Sequence, residues 1–170
     1  VRRLWAPWRM EYISSAAVRG GACVLCDAAK GPDEEKLVLY RGRTAYVIMN
    51  RFPYNSGHLM VVPVRHVTAP GELSDEEALE VHHLISASIA ALRRVMNPDA
   101  FNVGVNVGRH AGAGMDHLHY HVVPRWAGDT NFMPVLADVK VLPEHLRVTY
   151  ERLRPALEEA VRGSTSRGRA

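Results

Sequence analysis

No stretch of the 170 residues approaches the roughly 20 consecutive apolar residues that a membrane-spanning helix requires. No basic segment followed by an apolar run opens the sequence as given, so nothing argues for export. A membrane partner is not expected, and the cytoplasm is the expected compartment. Cysteine is scarce: Cys23 and Cys26 are the two present, too few for a disulfide framework. Acidic residues are missing from the stretch that carries Arg162, Arg167 and Arg169. Those three arginines account for the formal net charge of +3 and leave the body near neutral. A short basic tail on a neutral body is weak ground for a nucleic-acid partner, and none is expected. The segment Gly108-Arg109-His110-Ala111-Gly112-Ala113-Gly114 lacks the Gly-Lys-Ser/Thr ending of a P-loop, which removes nucleoside triphosphatases of that type.

What is present fits one soluble domain with a proper core, 47% apolar and 23% charged. The densest chemistry lies in His117-Leu118-His119-Tyr120-His121-Val122-Val123-Pro124-Arg125-Trp126. Alternation at period two predicts a half-buried strand, with Leu118, Tyr120 and Val122 toward a core. His117, His119 and His121 would then stand in a row on the other face, roughly 6–7 Å apart. A purely structural strand has no need of such crowded imidazoles. Two readings remain: a row of metal ligands, or a nucleophile flanked by histidines that orient it and bind its substrate. A catalytic metal on the row is disfavoured, because Asp116 precedes the row instead of completing a His-x-His-x-Asp-His spacing.

Elsewhere, Leu37–Tyr40 and Ala45–Met49 predict two strands joined at Arg41-Gly42-Arg43, and His58–Val62 a third, stopped by Pro63. Ser74 and Glu77 form a capping box for a long helix with Leu79, His83, Leu84, Ala87, Ser88, Ala91, Leu92 and Val95 along its stripe. Asn97-Pro98 ends it. Phe101 to Val107 alternates, placing Asn102, Gly104 and Asn106 on one face, where a ligand can approach the backbone. If this strand pairs with the histidine strand, their polar faces coincide. A last helix is expected from about Pro143 to Val161, kinked at Pro155. Near the start, Trp5 and Trp8 are costly to leave in water, so that arm is expected to pack on the body or on a second subunit. Cys23-x-x-Cys26 reads as a redox pair or half a zinc site, and histidines can complete the latter.

The stretch from His117 to Val123 resembles the histidine-triad (HIT) pattern, in which His alternates with apolar residues, at every position. The resemblance extends from about Val38 to Phe132 through Met49-Asn50-Arg51, Gly57–Pro63, Phe101–Gly108 and Pro124–Asp129. Its local flavour is similar to the Fhit-like branch and to bacterial diadenosine tetraphosphate phosphorylases. The resemblance implies an α+β fold: an antiparallel sheet of about five strands, one long helix packed on it and a C-terminal helix. It divides the chain into an arm with the cysteine pair (1–30), a HIT core (31–135), a C-terminal segment and helix (136–161) and a disordered tail (162–170).

The same resemblance implies site residues. His119 is the expected nucleophile, forming a nucleotidyl-histidine, with His121 and His58 as catalytic neighbours. Asn50, Asn106, Ala113, Gly114, His121 and Trp126 are expected to bind the nucleotide. Cys23, Cys26, His66 and His117 are expected to hold a structural zinc, and no organic cofactor is implied. The expected partners are a purine nucleotide or dinucleoside polyphosphate and a second copy of the chain. One departure bears on the reaction. Fhit-like hydrolases carry Gln after the Ala-Gly of the loop, whereas this chain has Ala111-Gly112-Ala113-Gly114. Small residues leave room for phosphate as second acceptor and lean the expectation toward a phosphorylase. A Hint-type nucleoside phosphoramidase and a nucleotide sensor with little turnover are the alternatives.

Overall fold

The structure is a computed structural model that describes residues 23–111, 113–129 and 144–167. The expectations for the Trp5/Trp8 arm and for residues 130–143 and 168–170 lie outside them. Two short helices, α1 (Val24–Ala28) and α2 (Asp33–Lys36), precede strands β1 (Val38–Arg41), β2 (Ala45–Met49) and β3 (Leu59–Pro63). Helix α3 (Asp75–Met96), β4 (Ala100–Val105), β5 (Tyr120–Arg125) and α4 (Leu146–Arg167) follow. The strands form one antiparallel sheet in the order β1-β2-β3-β5-β4. The expected α+β architecture is what the chain adopts. Among the described residues no helix is long and apolar enough to cross a membrane.

Strand alternation divides the sheet's side chains between two cores. Val47, Met49, Leu59, Val61 and Val122 pack with Leu84, Leu92, Leu153 and Leu157 of the two long helices. Tyr46, Ile48, Met60 and Val62 face the other way and pack with Leu25 and Ala28 of α1. The Tyr46 hydroxyl donates to Leu25 O (2.7 Å), tying the cysteine-bearing segment to the sheet. Helix α3 starts with the expected capping box: Glu77 N–H donates to Ser74 Oγ (3.3 Å) and Ser74 N–H to Glu77 Oε2 (2.8 Å). Asn97, at φ 47°, caps its other end in the left-handed conformation open to Asn.

Four expectations need correction. Leu79 and His83 are exposed, because at about 100° per residue each lies some 200° from Val81, which is buried instead. Strand β4 ends at Val105, so Asn106 and Val107 follow it. Helix α4 continues to Arg167, past the end expected at Val161 and into the stretch expected to be disordered. Extending an existing helix needs no new nucleus, which lets weak helix formers such as Gly163 be carried along.

The last correction concerns the histidines. β5 begins at Tyr120, so His117 and His119 precede the strand and no single row of three forms. The β3–β5 ladder runs only from Leu59↔Val122 to Val61↔Tyr120. Beyond it Pro63 offers no N–H, and Leu118 N–H donates instead to Val67 O (2.7 Å).

Candidate active site and metal centre

Register carries His121 onto the sheet face that is opposite to α3 and α4. It pairs with Met60 on one side and Gly104 on the other, so the polar faces of β4 and β5 coincide as expected. The turn before β3 then fixes His58, which is fully buried. His58 N–H donates to Asn55 O (3.1 Å), and Gly57 sits at φ 77°. That conformation favours glycine, and a Cβ there would also have to push aside the end of the Met96 side chain, 2.6 Å away at Sδ.

The hydrogen-bond network assigns the tautomers. Tyr54 N–H donates to His58 Nδ1 (3.0 Å), and Asn50 Nδ2 lies 3.4 Å from the same atom. Nδ1 of His58 is therefore an acceptor, and the neutral ring carries its proton on Nε2. Nε2 donates to His121 Nδ1 at 2.9 Å, which leaves the proton of a neutral His121 on its own Nε2. His119 takes the opposite arrangement. Its Nδ1–H donates to His117 O (2.7 Å), so the lone pair resides on Nε2. The His119 and His121 rings meet edge to face, with centroids 4.8 Å apart. Burial pushes the His119 imidazole below its ordinary value, with the His117 carbonyl opposing the shift.

His117 faces away from this pair. Its Nε2–H donates to Pro63 O (2.9 Å), leaving the Nδ1 lone pair beside Cys23 Sγ (3.3 Å) and Cys26 Sγ (3.5 Å). His66 Nδ1 lies 3.3 Å from Cys26 Sγ. The four ligand atoms of Cys23, Cys26, His66 and His117 all lie within 4.8 Å of one another. Two sulfurs and two imidazole nitrogens in such a cluster fit a tetrahedral zinc site, with the carbonyl on the far side of His117 fixing its tautomer. Burial and the adjacent Cys23 hold the Cys26 thiol above its ordinary range, a situation that a divalent cation reverses.

A cleft of about 340 Å³ opens beside His121. Asn106 lines it, as expected of a ligand-facing residue, together with Asn102, Gly104 and Arg125. Asn50 lies on the other side of His58, where its Oδ1 accepts from Phe52 N–H (2.9 Å). Ala113, Gly114 and Trp126 are not among the described residues lining the cleft. Trp126 contributes a backbone N–H to Asp129 (3.2 Å), and Ala113 N–H turns back to Gly108 O (3.4 Å).

Sequence reasoning missed a network that joins the turn to the cleft. Asp129 accepts from Arg125 Nε (2.6 Å) and Nη2 (2.8 Å) and from Asn55 Nδ2 (2.8 Å). Asn55 Nδ2 also reaches Pro124 O (3.1 Å). The four-residue spacing of Arg125 and Asp129 was the available signal, but its link to Asn55 is tertiary.

A sheet of this order with paired histidines on one face defines a histidine-triad protein. The family model described as the HIT domain matches residues 32–128, and the chain belongs to the HIT family. It is 41% identical to the AP-4-A phosphorylase of Mycobacterium tuberculosis, over 88% of this chain and 80% of that protein. It is 29% identical to an adenosine 5′-monophosphoramidase of Schizosaccharomyces pombe, over 61% of this chain and 74% of that one. Among solved structures, a Zn-bound histidine triad family protein from Mycobacterium smegmatis matches its fold with a TM-score of 0.62. The two are 24% identical, over 81% of this chain and 94% of that chain.

Proposed function

We propose that the protein is a nucleotidyl transferase that cleaves dinucleoside polyphosphates, such as diadenosine tetraphosphate, through a nucleotidyl-histidine at His119. The observation that carries this reading is the His119 hydrogen bond to its neighbour's carbonyl, which presents Nε2 as a buried, neutral nucleophile beside His121. The likeness to an AP-4-A phosphorylase supports the substrate class.

In the first step Nε2 of His119 attacks the α-phosphorus. A P–N bond forms, the bridging P–O bond breaks, and ATP departs with the bridging oxygen and its electron pair. In the second, a phosphate oxygen attacks the same phosphorus. The P–N electrons return to Nε2 and ADP is released. Phosphoryl transfer depends on positioning and on stabilising charge at the equatorial oxygens. His121 supplies its Nε2–H for that role, and the Tyr54–His58–His121 relay sets its tautomer. Asn50 binds the ribose and Asn106 the phosphates. Ala113, Gly114 and Trp126 complete the nucleotide site by family resemblance alone. Cys23, Cys26, His66 and His117 hold a structural zinc, which when bound fixes the N-terminal segment to the sheet. The two cysteines suit a reducing cytoplasm. The protein acts as a homodimer, a reading supported by β4, a sheet edge with Val103 exposed.

The test is product analysis on diadenosine tetraphosphate with and without inorganic phosphate. ADP and ATP appearing only with phosphate are expected. AMP and ATP without phosphate would make it a hydrolase, and turnover of a phosphoramidate alone would overturn the reading.

The reading also fixes a pH dependence. His119 attacks as the neutral imidazole, and burial lowers its pKa, so the neutral form persists below the ordinary value of about 6.5. The acid limb of kcat/KM is expected below that pH, in a profile taken from pH 5 to 8. A limb centred above it contradicts the assignment.

A further inference from the structure

The two rings of the relay sit on different elements, His58 in the turn before β3 and His121 on β5. Their 2.9 Å hydrogen bond therefore depends on how that turn is held against β5. Asn55, which is buried, meets both elements. Its carbonyl accepts the His58 N–H (3.1 Å). Its side-chain Nδ2 donates to Pro124 O (3.1 Å) on β5 and to Asp129 Oδ2 (2.8 Å) just beyond the strand. Both partners are acceptors, which fixes the orientation of the amide. Asp129 is itself oriented by two bonds from Arg125 and one from the Trp126 N–H. The β2–β3 turn is already closed at its base, where Asn50 N–H donates to His58 O (3.0 Å), so the hairpin does not need this clamp to form. What the clamp places is a main-chain donor. The Tyr54 N–H reaches His58 Nδ1 (3.0 Å), and the residue that follows it, Asn55, sets where it lies. The Tyr54 ring packs on the same pair, with centroids 4.7 Å from His58 and 5.6 Å from His121.

We infer that Asn55 is a positioning residue for nucleotidyl transfer: its clamp on β5 holds the Tyr54 N–H against His58 and so keeps the donor hydrogen of His121 on Nε2. The inference deepens the proposed function and rests on the role given there to that hydrogen. Once the clamp is gone the turn can draw back, and His58 Nδ1 becomes a buried acceptor without its backbone donor. The ring is then free to carry its hydrogen on Nδ1. His58 Nε2 accepts from His121 Nδ1–H, and the outward nitrogen of His121 carries a lone pair. Each ring keeps one hydrogen, so the two tautomers exchange together. A donor aimed at developing charge on phosphate becomes an acceptor that repels it.

Asn55→Ala removes the clamp without adding charge. Long-range proton–nitrogen correlation spectra of the histidine rings, taken at a pH where both are neutral, distinguish the tautomers. In the wild type His58 and His121 are both expected to carry hydrogen on Nε2. In Asn55→Ala an Nδ1–H form is expected on both rings together. Formation of the nucleotidyl-enzyme at saturating diadenosine tetraphosphate should then slow by about 10-fold or more, since one oxyanion donor is worth on the order of 100-fold. Equilibrium binding of AMP should change by less than about 3-fold, because the loss falls on the transition state. Since Asn55 acts through His58, Asn55→Ala should slow a His58→Ala enzyme by less than about 3-fold further. If Asn55→Ala does not fold, Asn55→Gln, whose amide has a different reach, is read in the same way. Other tautomers in the wild type would overturn the inference. So would a folded variant that keeps full rate, or one that slows with both rings unchanged. A wild type with the expected tautomers that forms no nucleotidyl-enzyme would instead remove the proposed function, and the catalytic meaning of the clamp with it.

Discussion

Replacing His119 by alanine is expected to reduce turnover of diadenosine tetraphosphate by on the order of 10⁴-fold or more, the scale on which nucleophile removal acts in covalent catalysis. Nucleotide binding should stay within a few-fold, since the ribose and phosphate contacts are assigned to other residues. A buried side chain is being removed, so loss of packing must be separated from loss of chemistry. His119→Asn does this. Its amide can still donate to the His117 carbonyl, which His119 contacts at 2.7 Å, but it cannot attack phosphorus. Equal loss in both variants, with melting temperature retained in the second, identifies the nucleophile. Substantial turnover by either would show that the acceptor, phosphate or water, attacks directly and that His119 only orients the substrate.

The second large effect is on stability. The Cys23, Cys26, His66 and His117 cluster links α1 and the segment after β3 to the approach to β5. A metal held at about 1,000 times its dissociation constant adds about 4 kcal/mol to the folded state. At roughly 2–4 °C per kcal/mol for a chain of this size, stripping it should lower the melting temperature by about 10 °C. Elemental analysis is expected to find one zinc per chain, and Cys23→Ser with Cys26→Ser should reproduce the effect of a chelator. Because His117 also supplies the carbonyl that orients His119, some activity should be lost below the melting range. It should not vanish, since no step passes through the metal. No copurifying metal and no response to chelation would contradict the assignment.

The parts of this account legible in the sequence are those set by local pattern. Apolar runs bounded by turn residues gave β2 and β3, and period-two alternation gave β4, each to within a residue or two, while Ser74 with Glu77 marked the start of α3. The histidine motif located the site, but alternation alone misplaced two of its three rings. Whether a residue continues a strand depends on a partner N–H, and Pro63 withholds one. The Leu79 error has a similar origin: a helical stripe is defined by what packs on it, and periodicity does not say against which face the second long helix lies. The Tyr54–His58–His121 relay and the Asn55–Asp129–Arg125 network join residues as many as 74 positions apart, and no local signal encodes such pairs. Glu80 of α3 is another case, accepting the backbone N–H groups of Arg43 (2.9 Å) and Ala45 (3.0 Å) across the β1–β2 turn.

The central claim is that a nucleotide is transferred to His119 and then to phosphate. Its most direct test is to mix the enzyme with diadenosine tetraphosphate without phosphate, quench in alkali, and map the adduct by mass spectrometry. The account predicts an adenylyl group on the peptide containing His119, discharged as ADP when phosphate is added before the quench. Products formed at the same rate with no adduct on His119, in wild type and in His119→Asn alike, would contradict it.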